Sequence, residues 1–141
     1  MNADKAILAD ADLTDRIIGA FYAVYNELGH GFLESVYGNA LLIALQDAGL
    51  TVEARKCLTV EYRSHVVGGF KADLLVAEKI IVEIKAVSHL LPAHEAQLVN
   101  YLKASGLHVG LLLNFGPRPQ FKRKVFGQSQ LDPLSSDLIR V

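Results

Sequence analysis

The chain has 141 residues, 51% of them hydrophobic and 21% charged, with 14 Lys+Arg against 15 Asp+Glu. That is the size and composition of one compact domain with a substantial core, and no Gly/Ser, Pro or Gln/Asn tract divides it, which excludes disordered, collagen-like and solenoid architectures. The apolar runs, such as Leu107 to Phe115, fall well short of the ~20 residues of a membrane-crossing helix. The start has no basic segment followed by an apolar one, so the expectation is a cytoplasmic protein with no membrane contact. The lone Cys57 allows no internal disulfide and no thiolate metal cage; it reads as a half-buried strand residue. The net charge of −1 lacks the basic excess usual for nucleic-acid binders. It conceals an asymmetry, however: residues 1–53 carry two basic and eight acidic side chains, residues 54–141 twelve and seven.

In chain order, Leu13, Ile17, Phe21, Val24 and Leu28 recur at steps of three and four, predicting an amphipathic helix over about 13–29 with Asp12 or Thr14 as N-cap. Gly29-His30-Gly31 ends it, and a second helix over about 33–48 closes at Gly49. The period then changes. Cys57 to Tyr62, Phe70 to Val76 and Ile80 to Val87 are β-rich runs separated by Ser64-His65, Gly68-Gly69 and Ala77-Glu78-Lys79, predicting a three-stranded meander. Pro92 suits the first turn of a third helix over about 93–104, which Gly106 stops. Val109 to Asn114 reads as a strand buried on both faces, and a last strand is placed near 122–126. The expected domain spans 1–141, with a core over about 13–126 and a loosely attached tail after Gly127.

Three polar residues interrupt strands that a bland core would keep apolar: Asp73 in Phe70-Lys71-Ala72-Asp73-Leu74-Leu75-Val76, and Glu83 and Lys85 in Ile80-Ile81-Val82-Glu83-Ile84-Lys85. Residues two apart on a strand share a face, and a hairpin at Glu78-Lys79 makes the two strands antiparallel neighbours. Two carboxylates and an ammonium are therefore expected on one sheet face. Hard oxygen donors suit Mg²⁺ or Mn²⁺, and a cationic Lys85 beside them can position water or stabilise charge on a phosphate. An E-x-K on a strand is by itself ordinary surface chemistry, an ion pair on a solvated face.

Further motifs narrow the reading. Gly31-Phe32-Leu33-Glu34-Ser35-Val36-Tyr37 spells GxxExxY. It is followed in order by Lys71-Ala72-Asp73, Glu83-Ile84-Lys85-Ala86-Val87, Ala96-Gln97-Leu98-Val99-Asn100-Tyr101 and Gly110-Leu111-Leu112-Leu113-Asn114-Phe115-Gly116. From about Ile17 to Val125 the chain resembles the GxxExxY family, a branch of the PD-(D/E)xK nuclease-like superfamily. The resemblance implies a restriction-endonuclease-like α/β core: a mixed β-sheet flanked by helices in αβββαβ order, with an extra N-terminal helix. It implies catalytic roles for Asp73, Glu83, Lys85, Gln97 and Tyr101, and a Mg²⁺ or Mn²⁺ site made by Glu34, Asp73, Glu83 and the Ile84 carbonyl. Gln97 and Tyr101, four apart, lie on one helical face. Tyr25, Ala44 and Lys71 depart from the family pattern, where His, Glu and Arg are frequent. Ala44 removes a second helical acid, and Lys71 keeps charge without the planar fork of arginine.

Lys71, Arg118, Lys122, Arg123 and Lys124 are candidates for contact with a nucleic-acid backbone, the last four as a basic patch beside Phe121 and Phe126; a solvated strand of alternating charge would look the same. The expected activity is metal-dependent hydrolysis of phosphodiester bonds in nucleic acid, DNA ahead of RNA. The alternative is a non-catalytic module of the same fold that binds nucleic acid or a protein. A homodimer with one site per subunit is a third reading.

Overall fold

The computed structural model describes residues 3–127, with side chains from Asp10 onward; the expectation of a loose tail lies outside the described residues. The elements run α1 (Ala3–Leu28), α2 (Glu34–Asp47), β1 (Val52–Tyr62), β2 (His65–Val76), β3 (Ile80–Lys85), α3 (Pro92–Ser105), β4 (Val109–Asn114) and β5 (Gln120–Val125). The five strands form one mixed sheet in the order β1-β2-β3-β4-β5, antiparallel except for β3 and β4, which α3 joins as a parallel crossover. No helix among the described residues is long and apolar enough to cross a membrane.

Alternation sorts the core into two layers. Val82, Ile84, Leu111 and Leu113 face α1 and α2, packing on Ile17, Phe21, Tyr37 and Leu41. Ile81 and Leu112 face α3, with Leu98, Tyr101 and Leu102. All six residues of β4 are buried, as a strand covered on both faces requires. Helix α3 approaches β4 so closely that a Cβ on Gly110 would lie 2.7 Å from Leu98 Cδ1.

Three local expectations are corrected. Helix α1 begins well before residue 13, so neither Asp12 nor Thr14 is an N-cap: both lie within the helix, and the buried Thr14 hydroxyl donates back to Ala11 O at 2.9 Å. Gly68-Gly69 is no turn. Both lie inside β2, opposite Val60 and Thr59, and the hairpin turns at Arg63-Ser64, where both residues hold the positive φ of a tight hairpin. The resulting strands of 11 and 12 residues run past the rest of the sheet, which leaves Cys57 exposed rather than half-buried.

Candidate active site

The site is built where the sheet forks. β2 and β3 pair only from Leu74–Val82 to Val76–Ile80. Beyond that point β2 continues with β1 alone and β3 with β4 alone. Asp73 and Glu83 are the next residues in register, and their side chains replace the missing ladder bonds. The Asp73 N–H donates to Glu83 Oε2 at 2.7 Å, and the Ile84 N–H donates to Asp73 Oδ2 at 2.7 Å. Both are short bonds that fix each carboxyl group through one oxygen and leave the other for a different partner.

Glu83 is only 3% exposed. Burial, and next the negative charge of Asp73, push its carboxyl up to about 8, against the opposing pull of the Asp73 N–H and Lys85. The same surroundings act on Tyr101, whose phenol is raised to about 12 by burial and then by the charges of Glu83 and Asp73. Tyr101 is 7% exposed and packs on Phe70 of β2, ring centroids 4.6 Å apart. One turn earlier on α3, Gln97 Oε1 accepts a hydrogen bond from Lys85 Nζ at 3.2 Å. Glu83, Lys85, Gln97 and Tyr101 are thus gathered on the α3 side.

Asp73 also opens onto the other side. It lines a cleft of about 250 Å³ with Leu74, Ile84, Ala54 and Arg55 of the sheet and Glu34, Ser35 and Asn39 of α2. The expectation of one sheet face is therefore corrected: divergence of β2 from β3 lets the Asp73 carboxylate reach the Ile84 N–H, so the residues surround the fork. Glu34 shares the cleft with Asp73, although among the described residues no three His, Cys, Asp or Glu side chains converge to cage an ion. The donors nonetheless suit a hard divalent cation: two interlocked carboxyl groups, one of them buried, each with an oxygen to spare.

The GxxExxY segment divides its labour. Tyr37 is fully buried; its hydroxyl donates to Gly29 O and accepts from the Phe32 N–H at 3.2 Å, and its ring stacks on Phe115 at 4.5 Å. It pins the loop that leads into Glu34. Tyr25 fastens the opposite loop, its hydroxyl 2.9 Å from Gly116 O and 3.0 Å from Pro117 O. Ala44 lies elsewhere, in a groove between α1 and α2 with Val24 and Ile43, so its missing acid does not bear on the fork.

The basic residues do not form one surface. Lys122 and Lys124 lie on one face of β5 and Arg123 on the other, beside Phe121, whose ring meets Tyr22 of α1. Lys124 is held by Glu95 of α3 at 2.6 Å. Arg118 is exposed in the β4–β5 connection, while β5 itself is separated from β3 by β4. Lys71, two residues before Asp73, is exposed on β2.

The pattern of the PD-(D/E)XK nuclease superfamily matches residues 11–124. The chain belongs to this superfamily. Among curated proteins nothing matches. Among solved structures, the crystal structure of SSO0001 superposes with a TM-score of 0.54 at 18% identity, covering 97% of this chain and 70% of that one; at that identity the likeness is one of fold. The matched residues 11–124 include the whole fork, with Asp73, Glu83, Ile84 and Lys85.

Sequence reading missed two other residues in this part of the superfamily fold. Asn114 is fully buried; its Oδ1 accepts from the Val87 N–H and its Nδ2 donates to Val87 O, both at 2.9 Å, clamping the chain as it leaves Lys85. A polar residue inside an apolar run was the available signal, the same one that exposed Glu83. Arg55 gave no such signal, because the first strand was read as starting at Cys57.

Proposed function

We propose that this chain is a divalent-metal-dependent nuclease that hydrolyses phosphodiester bonds in nucleic acid, DNA ahead of RNA. The observation that carries the reading is the interlocked Asp73–Glu83 pair beside the Lys85–Gln97 hydrogen bond, in a chain of this superfamily. Within the superfamily we assign it to the GxxExxY branch on Gly31, Glu34 and Tyr37. Asp73, Glu83 and the Ile84 carbonyl, with Glu34 across the cleft, would hold Mg²⁺ or Mn²⁺, which supplies Lewis-acid charge at a phosphate and a more acidic bound water.

The remaining chemistry belongs to the chain's own groups. Lys85 Nζ, tethered at 3.2 Å by Gln97, keeps two further hydrogens to direct at the attacking water or a phosphate oxygen. Tyr101, whose phenol stays protonated at neutral pH, is available as a hydrogen-bond donor at the fork. We place the protein in the cytoplasm as one domain over 1–141, with a core over about 13–126. A homodimer would supply a site for each strand of a duplex.

Labelled single- and double-stranded DNA and RNA incubated with Mg²⁺ or Mn²⁺ test the proposal. Cleavage abolished by chelation and by Asp73→Asn is expected; cleavage indifferent to both would overturn it. The lack of a three-residue cage among the described residues favours the second reading, a non-catalytic binding module. Nucleic-acid binding without cleavage, and without saturable Mn²⁺ uptake, would establish that reading instead.

A further inference from the structure

Five non-glycine residues among those described have positive φ. Four of them, Arg63, Ser64, Ala77 and Glu78, make the two hairpin turns, whereas Arg55, at φ 52°, sits inside strand β1. Left-handed backbone costs a non-glycine residue on the order of 1 kcal/mol or more and persists where surrounding structure enforces it. The register shows the local consequence. Ala54 pairs with Leu74 and Lys56 with Ala72, but the intervening Arg55–Asp73 pair is not made. The ladder is thus interrupted on both sides of Asp73, towards Glu83 and towards Arg55.

Arg55 lines the same cleft as Asp73 and Glu34 and is the one cation among its lining residues. Its guanidinium has no carboxylate within 4.0 Å among the described residues, and its side chain is exposed. Lys85, by contrast, is engaged by Gln97, and Lys124 by Glu95. A cleft walled by Glu34 and Asp73 repels a polyanion wherever a bound cation does not offset their charge, and Arg55 is the one positive side chain on its wall. An unengaged guanidinium fork, which matches two phosphate oxygens at once, is the group suited to that task.

We propose that Arg55 is a substrate-binding residue that grips a backbone phosphate of the nucleic acid next to the Asp73–Glu83 pair, its left-handed backbone setting it at the cleft. This rests on the nuclease reading above and extends it by naming where the phosphate enters. Ser35 and Asn39, on the α2 wall of the same cleft, are neutral hydrogen-bonding groups for the same phosphate.

Arg55→Asn tests the proposal without straining the fold, because asparagine tolerates left-handed backbone. Binding of a fluorescent DNA oligonucleotide would be measured by anisotropy across a salt series in Ca²⁺, beside thermal melting and Mn²⁺ titration of the same proteins. The expected result is about tenfold weaker binding and a salt slope reduced by about one phosphate contact, with melting and Mn²⁺ uptake unchanged. Arg55→Lys should recover the slope and only part of the affinity. Unchanged affinity and slope in a folded Arg55→Asn protein would overturn the role of Arg55 while leaving the nuclease reading intact. A wild-type protein that neither binds nor cleaves nucleic acid would overturn both.

Discussion

Asp73 and Glu83 meet through side chain and backbone rather than through the sheet ladder: the Asp73 N–H donates to Glu83 Oε2 at 2.7 Å, while Asp73 Oδ2 accepts from the residue after Glu83. Each carboxylate therefore orients the strand that carries the other. Asp73→Asn and Glu83→Gln, near-isosteric changes, should each lower metal-dependent cleavage by roughly 10²-fold or more, since they remove the oxygen donors proposed to hold the cation. Single-turnover rates with circular dichroism as a fold control would check this.

Burial and the charge of Asp73 hold Glu83 protonated up to about 8, against its ordinary 4.5. Between those values the folded chain binds more protons than the unfolded one, so its stability falls as pH rises. The metal-free protein should be most stable below about pH 4.5, as far as this group is concerned, and lose on the order of a few kcal/mol by the time Glu83 ionises. A divalent cation that replaces the proton should raise Tm more at about pH 9 than at about pH 6. Melting curves at both values, with and without millimolar Mn²⁺, would show the two opposite trends.

Gln97 accepts a hydrogen bond from Lys85 Nζ at 3.2 Å, and in the proposed mechanism it acts through that lysine. Gln97→Ala should lower kcat about tenfold with little change in KM, because it frees Lys85 Nζ without removing its charge. A split in the other direction, KM raised with kcat unchanged, would place Gln97 on the substrate instead.

Tyr37→Phe leaves the Gly29 carbonyl and the Phe32 N–H without their shared partner. The expected loss is about 1–3 kcal/mol of stability, read by urea denaturation. Gly116→Ala should be more damaging, because its Cβ would overlap the Val87 carbonyl oxygen, which the Asn114 clamp holds in place.

The elements easiest to see in the sequence were those with one periodicity and a clear stop: α2 before Gly49, α3 between Pro92 and Gly106, and β4, apolar up to Asn114. Asp73, Glu83 and Lys85 were legible as charges where a strand should be apolar. The fork that joins them was not, because it depends on which strand each half of β2 and β3 pairs with, a long-range choice that alternation does not encode. For the same reason Gly68-Gly69 looked like a turn and proved to be strand, and Arg55 went unnoticed. The four basic residues from Arg118 to Lys124 are close in sequence, but alternation and the Lys124–Glu95 ion pair disperse them.

If the Asp73–Glu83 pair holds the cation on which cleavage of nucleic acid depends, metal uptake and cleavage must fail together. Calorimetric titration of Mn²⁺ into wild type and Glu83→Gln, run beside DNA cleavage over the same metal concentrations, reads both. A saturable site in the wild type that weakens sharply in the variant, with cleavage rising as that site fills, is the expected result. Equal Mn²⁺ affinity in the two proteins, or cleavage that proceeds with the site empty, would contradict it.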